Sequence, residues 1–163
     1  MLALLKNDIS GFNQDELDEY YAKYDSPNEV DPNFVEDEFA ERFEQVKGWI
    51  LAVNAHNKVV STLAKTYTNF YSLWCFALLN ENLPEPANFA PRYQGFMESV
   101  AAILKAEDPE QFLAGEDSLL YRHQFSYAQN ARGANTELPQ RVARHKALAA
   151  FITGVELPDE DQQ

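Results

Sequence analysis

Cysteine and long apolar runs are scarce in this chain, and each scarcity excludes a class of protein. The single cysteine, Cys75, excludes a disulfide framework and a thiolate zinc site. No window of 18 apolar residues exists, so the sequence predicts no membrane-spanning helix. Lys6 follows the first apolar residues instead of preceding them, which is the reverse of a signal peptide. We therefore expect a soluble cytoplasmic protein that makes no membrane contact.

Basic residues are also scarce, since 13 Lys and Arg stand against 26 Asp and Glu, for a net charge of −13. This balance argues against a protein whose whole surface binds nucleic acid or anionic lipid. The charge is uneven along the chain. Residues 1–47 hold 13 acids and 4 bases, whereas residues 121–148 carry five Lys or Arg and a single acid, Glu137.

Apolar residues recur at helical spacing along nearly the whole chain of 163 residues, which is the length of one ordinary domain. The pattern predicts an all-α fold, a single-domain bundle of about six to seven helices over residues 1–153. Residues 154–163 are acidic and polar, and we expect them to form a disordered tail. The clearest apolar stripe consists of Val35, Phe39, Phe43, Val46, Ile50 and Val53.

Several helix starts are marked by capping residues. Asn13 precedes a helical segment and is followed three residues later by Glu16, which is a capping-box pattern. Asp31 is predicted to cap a long helix with Pro32 at its first position, and this helix should reach about His56.

The segment that begins near Thr66 is the most apolar of the chain. Apolar residues cover almost every side of this helix, so it should be the central buried one, with Trp74, Phe76 and Leu78 or Leu79 in the core.

The second half of the chain predicts further helices. One carries apolar residues from Phe89 to Leu104 on one face, and a short one opens at Asp108 and is closed by Gly115. Residues 118–129 read as another helix or a mixed segment. The last helix should run from Leu138 to about Thr153 and end at a glycine.

Familiar catalytic motifs are absent: there is no P-loop, GxGxxG, HExxH, GxSxG or EF-hand loop. The histidines His56, His123 and His145 have no helical ligand spacing, and the Asp37 and Glu41 pair lacks the Glu-x-x-His pattern of a dinuclear site. We predict no metal and no cofactor, and favour a protein that is not an enzyme. The carboxylates of the first third should form a solvated face, and Cys75 should be buried and inert.

The basic residues near the start of the last helix are the most informative cluster. A helix N-terminus disfavours cations, so bases placed there suggest a site for an anion such as phosphate. Alternatively, they pair with the acids of residues 15–44 and hold the last helix to the body. The candidate anion-binding or nucleic-acid-binding residues are Arg122, Arg132, Arg141, Arg144 and Lys146. A set of tyrosines could stack bases, although their spacing is more typical of a core: Tyr20, Tyr21, Tyr24, Tyr67 and Tyr71.

Three stretches together carry a family resemblance: KTYTNFYSLWCFALL at 65–79, YRHQFSYAQNARGANTELPQRVARH at 121–145, and the Arg141-x-x-Arg144 pair. Over residues 30–153 the chain resembles the C-terminal helical region of GmrSD-type proteins, which are modification-dependent restriction and phage-defence proteins with a ParB/sulfiredoxin-like N-terminal part. The family's Asp-Gly-Gln-x-Arg motif and a His-Asn-His nuclease pattern are both absent, so no catalytic residue is carried over.

Two functions follow as hypotheses. The resemblance implies a non-catalytic module of a DNA-targeting defence system that contacts nucleic acid or nucleotide through the basic C-terminal patch. The composition favours the alternative, an acidic helical module that binds a basic protein partner as a regulator or inhibitor.

Overall fold

The structure is a computed structural model that describes residues 2–114, 118–133 and 135–155. Within these ranges the fold is all-α, with no strand, as the sequence predicts. The helices are α1 (Leu2–Lys6), α2 (Gln14–Lys23), α3 (Pro27–Val30), α4 (Glu36–Asn57), α5 (Val59–Leu63), α6 (Tyr67–Leu79), α7 (Pro86–Lys105), a 3₁₀ helix (Pro109–Leu113), α8 (Ser118–Asn130) and α9 (Leu138–Thr153). None of them combines the length and apolarity needed to cross a membrane.

The capping residues explain several of these boundaries. The Asn13 side chain accepts hydrogen bonds from the backbone N–H groups of Asp15 and Glu16, as the predicted N-cap requires. Gly154, at φ 74°, ends α9 in the left-handed conformation, and its N–H donates to the Ala150 carbonyl. The predicted closing residue Gly115 and the tail from 156 onward lie outside the described residues.

The predicted start of the long helix at Asp31 is wrong. Helix α4 begins at Glu36, after Val35 as its N-cap, and it is preceded by the separate short helix α3. The Asp31 side chain accepts a hydrogen bond from the Asn33 N–H at 2.9 Å, so it stabilises a local turn instead of capping a helix.

The core lies between α4, α6, α7, α8 and α9. Helix α7 packs against α4 and α8, and α9 packs against α8 and α6. Aromatic rings form its centre, with Phe76, Phe89 and Tyr93 stacked in sequence at centroid distances of 5.3 Å. Phe96 and Tyr127 continue the ring contacts toward α8. These side chains are fully buried.

Helix α6 is only partly the buried helix that its sequence predicts. Phe76 and Leu78 are buried, but Trp74 is half-buried and packs against Phe43. Tyr67 at the start of α6 is 68% exposed. Because α6 packs chiefly against α4 and α9, its first two turns keep an aromatic surface outside the core.

Candidate functional site

The first half of α9 turns its polar side chains inward. Arg144 and His145 lie three and four residues after Arg141. The three side chains therefore share one helix face with the apolar Leu148 and Ile152. All five residues are buried. The face that the sequence offers as an anion pocket is therefore the face by which α9 packs onto the bundle.

Arg141 joins α9 to the residues between α1 and α2, at 7–13, which we call the N-terminal segment. Its Nη1 donates to the Ser10 carbonyl at 2.6 Å, and its guanidinium lies 4.0 Å from the centroid of the Tyr71 ring. The Tyr71 hydroxyl donates to the same carbonyl and accepts from the Ser10 N–H, both at 3.0 Å. Burial raises the pKa of Tyr71 to about 12, so this hydroxyl stays protonated and able to donate.

Arg144 lies deeper and is 1% exposed. Its Nε donates to the Ser72 Oγ at 3.1 Å and its Nη1 to the Asn130 carbonyl at 2.6 Å, so it connects α9 to α6 and to the end of α8. Burial lowers the pKa of this guanidinium, because desolvation disfavours the charged form.

The sequence offers ion pairing with the acids of residues 15–44 as the alternative to an anion site. The two arginines do not form these ion pairs. Among the described residues, their hydrogen-bond acceptors are carbonyl and hydroxyl oxygens, and no carboxylate forms an ion pair with either. Two of the acceptors are backbone carbonyls without helical partners, that of Ser10 between α1 and α2 and that of Asn130 at the end of α8, and the third is the Ser72 hydroxyl in α6. The arginines thus hold backbone segments together.

The other predicted basic residues lie elsewhere. Arg132 is exposed and donates to the carbonyls of Ile103 and Leu104, near the end of α7, at 3.3 and 3.4 Å. Arg122 is exposed on α8 with its Nε 3.2 Å from the His123 Nε2, and Lys146 is half-buried on α9. The five predicted residues therefore divide into a buried pair and three more accessible side chains.

His145 and Cys75 are both buried. Burial lowers the pKa of His145 to about 4 and raises the pKa of Cys75 to about 11, so both are neutral at pH 7. The described part of the chain holds no group of three or more His, Cys, Asp or Glu side chains that could bind a metal ion.

A cleft of about 230 Å³ lies beside Arg141. Its walls include Ser10, Tyr21, Tyr67 and Tyr71, which come from the N-terminal segment, α2 and α6. The spacing of these tyrosines in the sequence is more typical of a core than of a binding site. The sequence contained no signal for this cleft, because it forms between segments more than 40 residues apart.

The acidic residues of α2 and α4 are at the surface. Glu19 and Glu44 form ion pairs with Lys23 and Lys47 on their own helices, and Glu16 pairs with Lys6. Six further carboxylates of these two helices are exposed and take part in no ion pair with another described residue: Asp15, Asp18, Glu36, Asp37, Glu38 and Glu41.

No protein-family model matches this chain, and neither the curated proteins nor the solved structures include a significant match.

Proposed function

We propose that this protein is a non-catalytic binding module that uses the acidic surface of α2 and α4 to bind a basic protein partner. The observation that supports the proposal is the difference in exposure between the acidic and the basic side chains. The carboxylates of α2 and α4 are exposed, whereas the central arginines of the basic segment are buried.

The acidic surface has the properties of an electrostatic docking site. On α4, Asp37, Glu41 and Glu44 follow one another at spacings of four and three residues, so they lie on one helix face. Ring contacts from Tyr24 through Phe34 to Phe39 connect α2 with the start of α4. A continuous field of one sign accelerates association with a partner of the opposite sign and selects against like-charged partners.

The test is a binding titration with a lysine-rich peptide, followed by fluorescence at several salt concentrations. The triple variant Asp37→Gln, Glu41→Gln and Glu44→Gln should weaken binding and reduce its salt dependence, because three carboxylates are lost from one face.

The matched control removes the same number of charges elsewhere. Glu81→Gln, Glu98→Gln and Glu107→Gln alter exposed carboxylates outside α2 and α4 and should leave peptide binding nearly unchanged. Equal weakening by both triple variants would show that net charge alone attracts the peptide and would overturn the proposal.

A second candidate function is the one implied by the GmrSD resemblance, contact with nucleic acid or nucleotide in a restriction or phage-defence system. The observation in its favour is the exposure of Arg122 and Arg132. With Arg141 and Arg144 buried, this function has to rely on those two side chains and Lys146. Its test is a DNA titration at low salt, in which Arg122→Ala with Arg132→Ala should reduce the salt slope by about one per lost phosphate contact.

A further inference from the structure

The cleft beside Arg141 is unusual for its exposed aromatic walls. Phe12, Tyr21 and Tyr67 line it and are 54%, 62% and 68% exposed. The Tyr67 ring is stacked on that of Tyr71 at 6.4 Å and 25°, and Tyr71 in turn carries the Arg141 guanidinium. The exposed Tyr67 ring, the Tyr71 ring and the buried Arg141 guanidinium are thus stacked in this order along the cleft.

The charge of the cleft is opposite to that of the molecule. The chain has 26 acids, yet none of those within the described ranges lines this cleft, where Arg141 is the charged residue. A buried guanidinium with no carboxylate partner among the described residues is a favourable position for an anion.

A hydroxyl group at the same place lacks a partner. Ser10 lines the cleft and is 5% exposed, and its Oγ has no hydrogen-bond partner within the described residues. Buried polar atoms are normally paired, so this unpaired hydroxyl keeps a hydrogen bond that it could donate to an acceptor at the inner end of the cleft.

We infer that this cleft binds a small aromatic anion, with its ring on Tyr67 and Tyr21 and its carboxylate or phosphate at Arg141 and the Ser10 hydroxyl. The volume of about 230 Å³ is below the range of drug-sized ligand pockets, which suits a single ring with one anionic group. Helix α2 contributes Tyr21 to this cleft, but none of the described carboxylates of the acidic surface lines it.

The test uses four probes with the same ring: benzoate, phenyl phosphate, benzyl alcohol and benzylammonium. Binding is followed by the amide NMR signals of residues 10–13. Benzoate or phenyl phosphate should shift these signals saturably and bind at least about tenfold more tightly than benzyl alcohol, since an ionised acceptor strengthens a hydrogen bond to arginine. The comparison of the two anions distinguishes a carboxylate from a phosphate ligand. Equal binding of all four probes, or no saturable shift with either anion, would overturn the inference.

Two variants locate the site. Tyr67→Ala changes an exposed ring and should weaken anion binding about five- to tenfold through the lost stacking. Phe70→Ala, on the same helix but outside this cleft, is its matched control and should have no effect. Arg141→Met should abolish the preference for anions. If that variant does not fold, Tyr67→Ala against Phe70→Ala decides alone, and equal loss in both contradicts the site.

Discussion

At the scale of single residues, the buried face of α9 places a neutral histidine beside two charged arginines. His145 is 9% exposed, and its Nδ1 has no hydrogen-bond partner among the described residues. Burial, opposed by the weaker effect of the Asp8 carboxylate, lowers its pKa from the ordinary 6.5 to about 4. Protonation of this side chain therefore favours the unfolded chain.

Protonation of His145 should make the stability of the fold depend on pH. Between pH 6.5 and 4 the unfolded chain binds a proton at this histidine and the folded chain does not. The contribution of His145 to the free energy of unfolding is therefore fully present above pH 6.5 and is lost as the pH decreases. From pH 7 to 5 the loss due to His145 should be about 2 kcal/mol. Urea unfolding of His145→Gln across this range should give a correspondingly flatter profile.

The control is His56→Gln, since His56 is exposed on α4. Its profile should match that of the parent chain. A His145→Gln profile as steep as the parent's would mean that other groups, and not this histidine, cause the loss.

At the scale of helices, glycine weakens a helix at an interior position but stabilises its end. Gly48 in α4 and Gly95 in α7 lie in helix interiors at exposed positions, and a Cβ at either would meet nothing within 4 Å. Gly154 ends α9 at φ 74°, where a side chain is strained whatever the space.

Alanine substitutions should therefore change stability in both directions. Gly48→Ala and Gly95→Ala should each stabilise the fold by about 0.5–1 kcal/mol, because glycine loses more backbone entropy in a helix. Gly154→Ala should destabilise it by about 1 kcal/mol. Chemical denaturation of the three variants measures the differences, and a destabilised Gly48→Ala would contradict the open position of that residue.

The helices themselves were largely predictable, and the site only in part. The end of α9 at Gly154 follows from local chemistry, which acts over a few residues and is visible in the sequence. The start of α4 was missed because Asp31 can stabilise a turn as well as cap a helix. Arg141 and Arg144 precede Leu148 and Ile152 on one helical face, which is a signal for burial. Their charge instead suggests an anion site or ion pairs, because carbonyl partners up to 131 residues away leave no signal in the local sequence.

At the scale of the whole molecule, a net charge of −13 is spread over a surface with few opposite charges. The described residues form three ion pairs with one another, all within the first 47 residues. Like charges on the remaining surface repel one another and destabilise the compact state.

Salt should consequently stabilise this protein. Raising NaCl from about 10 mM to 150 mM shortens the screening length from about 30 to 8 Å, and Tm should rise by about 2–4 °C if about 1 kcal/mol of repulsion is removed. Calorimetry of the variant Glu36→Gln, Asp37→Gln and Glu38→Gln should show a smaller rise. A Tm that falls with salt would mean that attraction between charges outweighs repulsion.

The contact between Arg141 and the Ser10 carbonyl has a consequence for how the chain is made. The residues that it joins are 131 positions apart, so the N-terminal segment emerges from the ribosome long before its partner exists. At about 5–20 residues per second, Ser10 waits roughly 7–26 s for Arg141. During that interval the Ser10 carbonyl lacks one of its two native side-chain donors, while the other, the Tyr71 hydroxyl, is synthesised before Arg141. The hydrogen bond between Arg141 and Ser10 can thus form only after α9 has been synthesised.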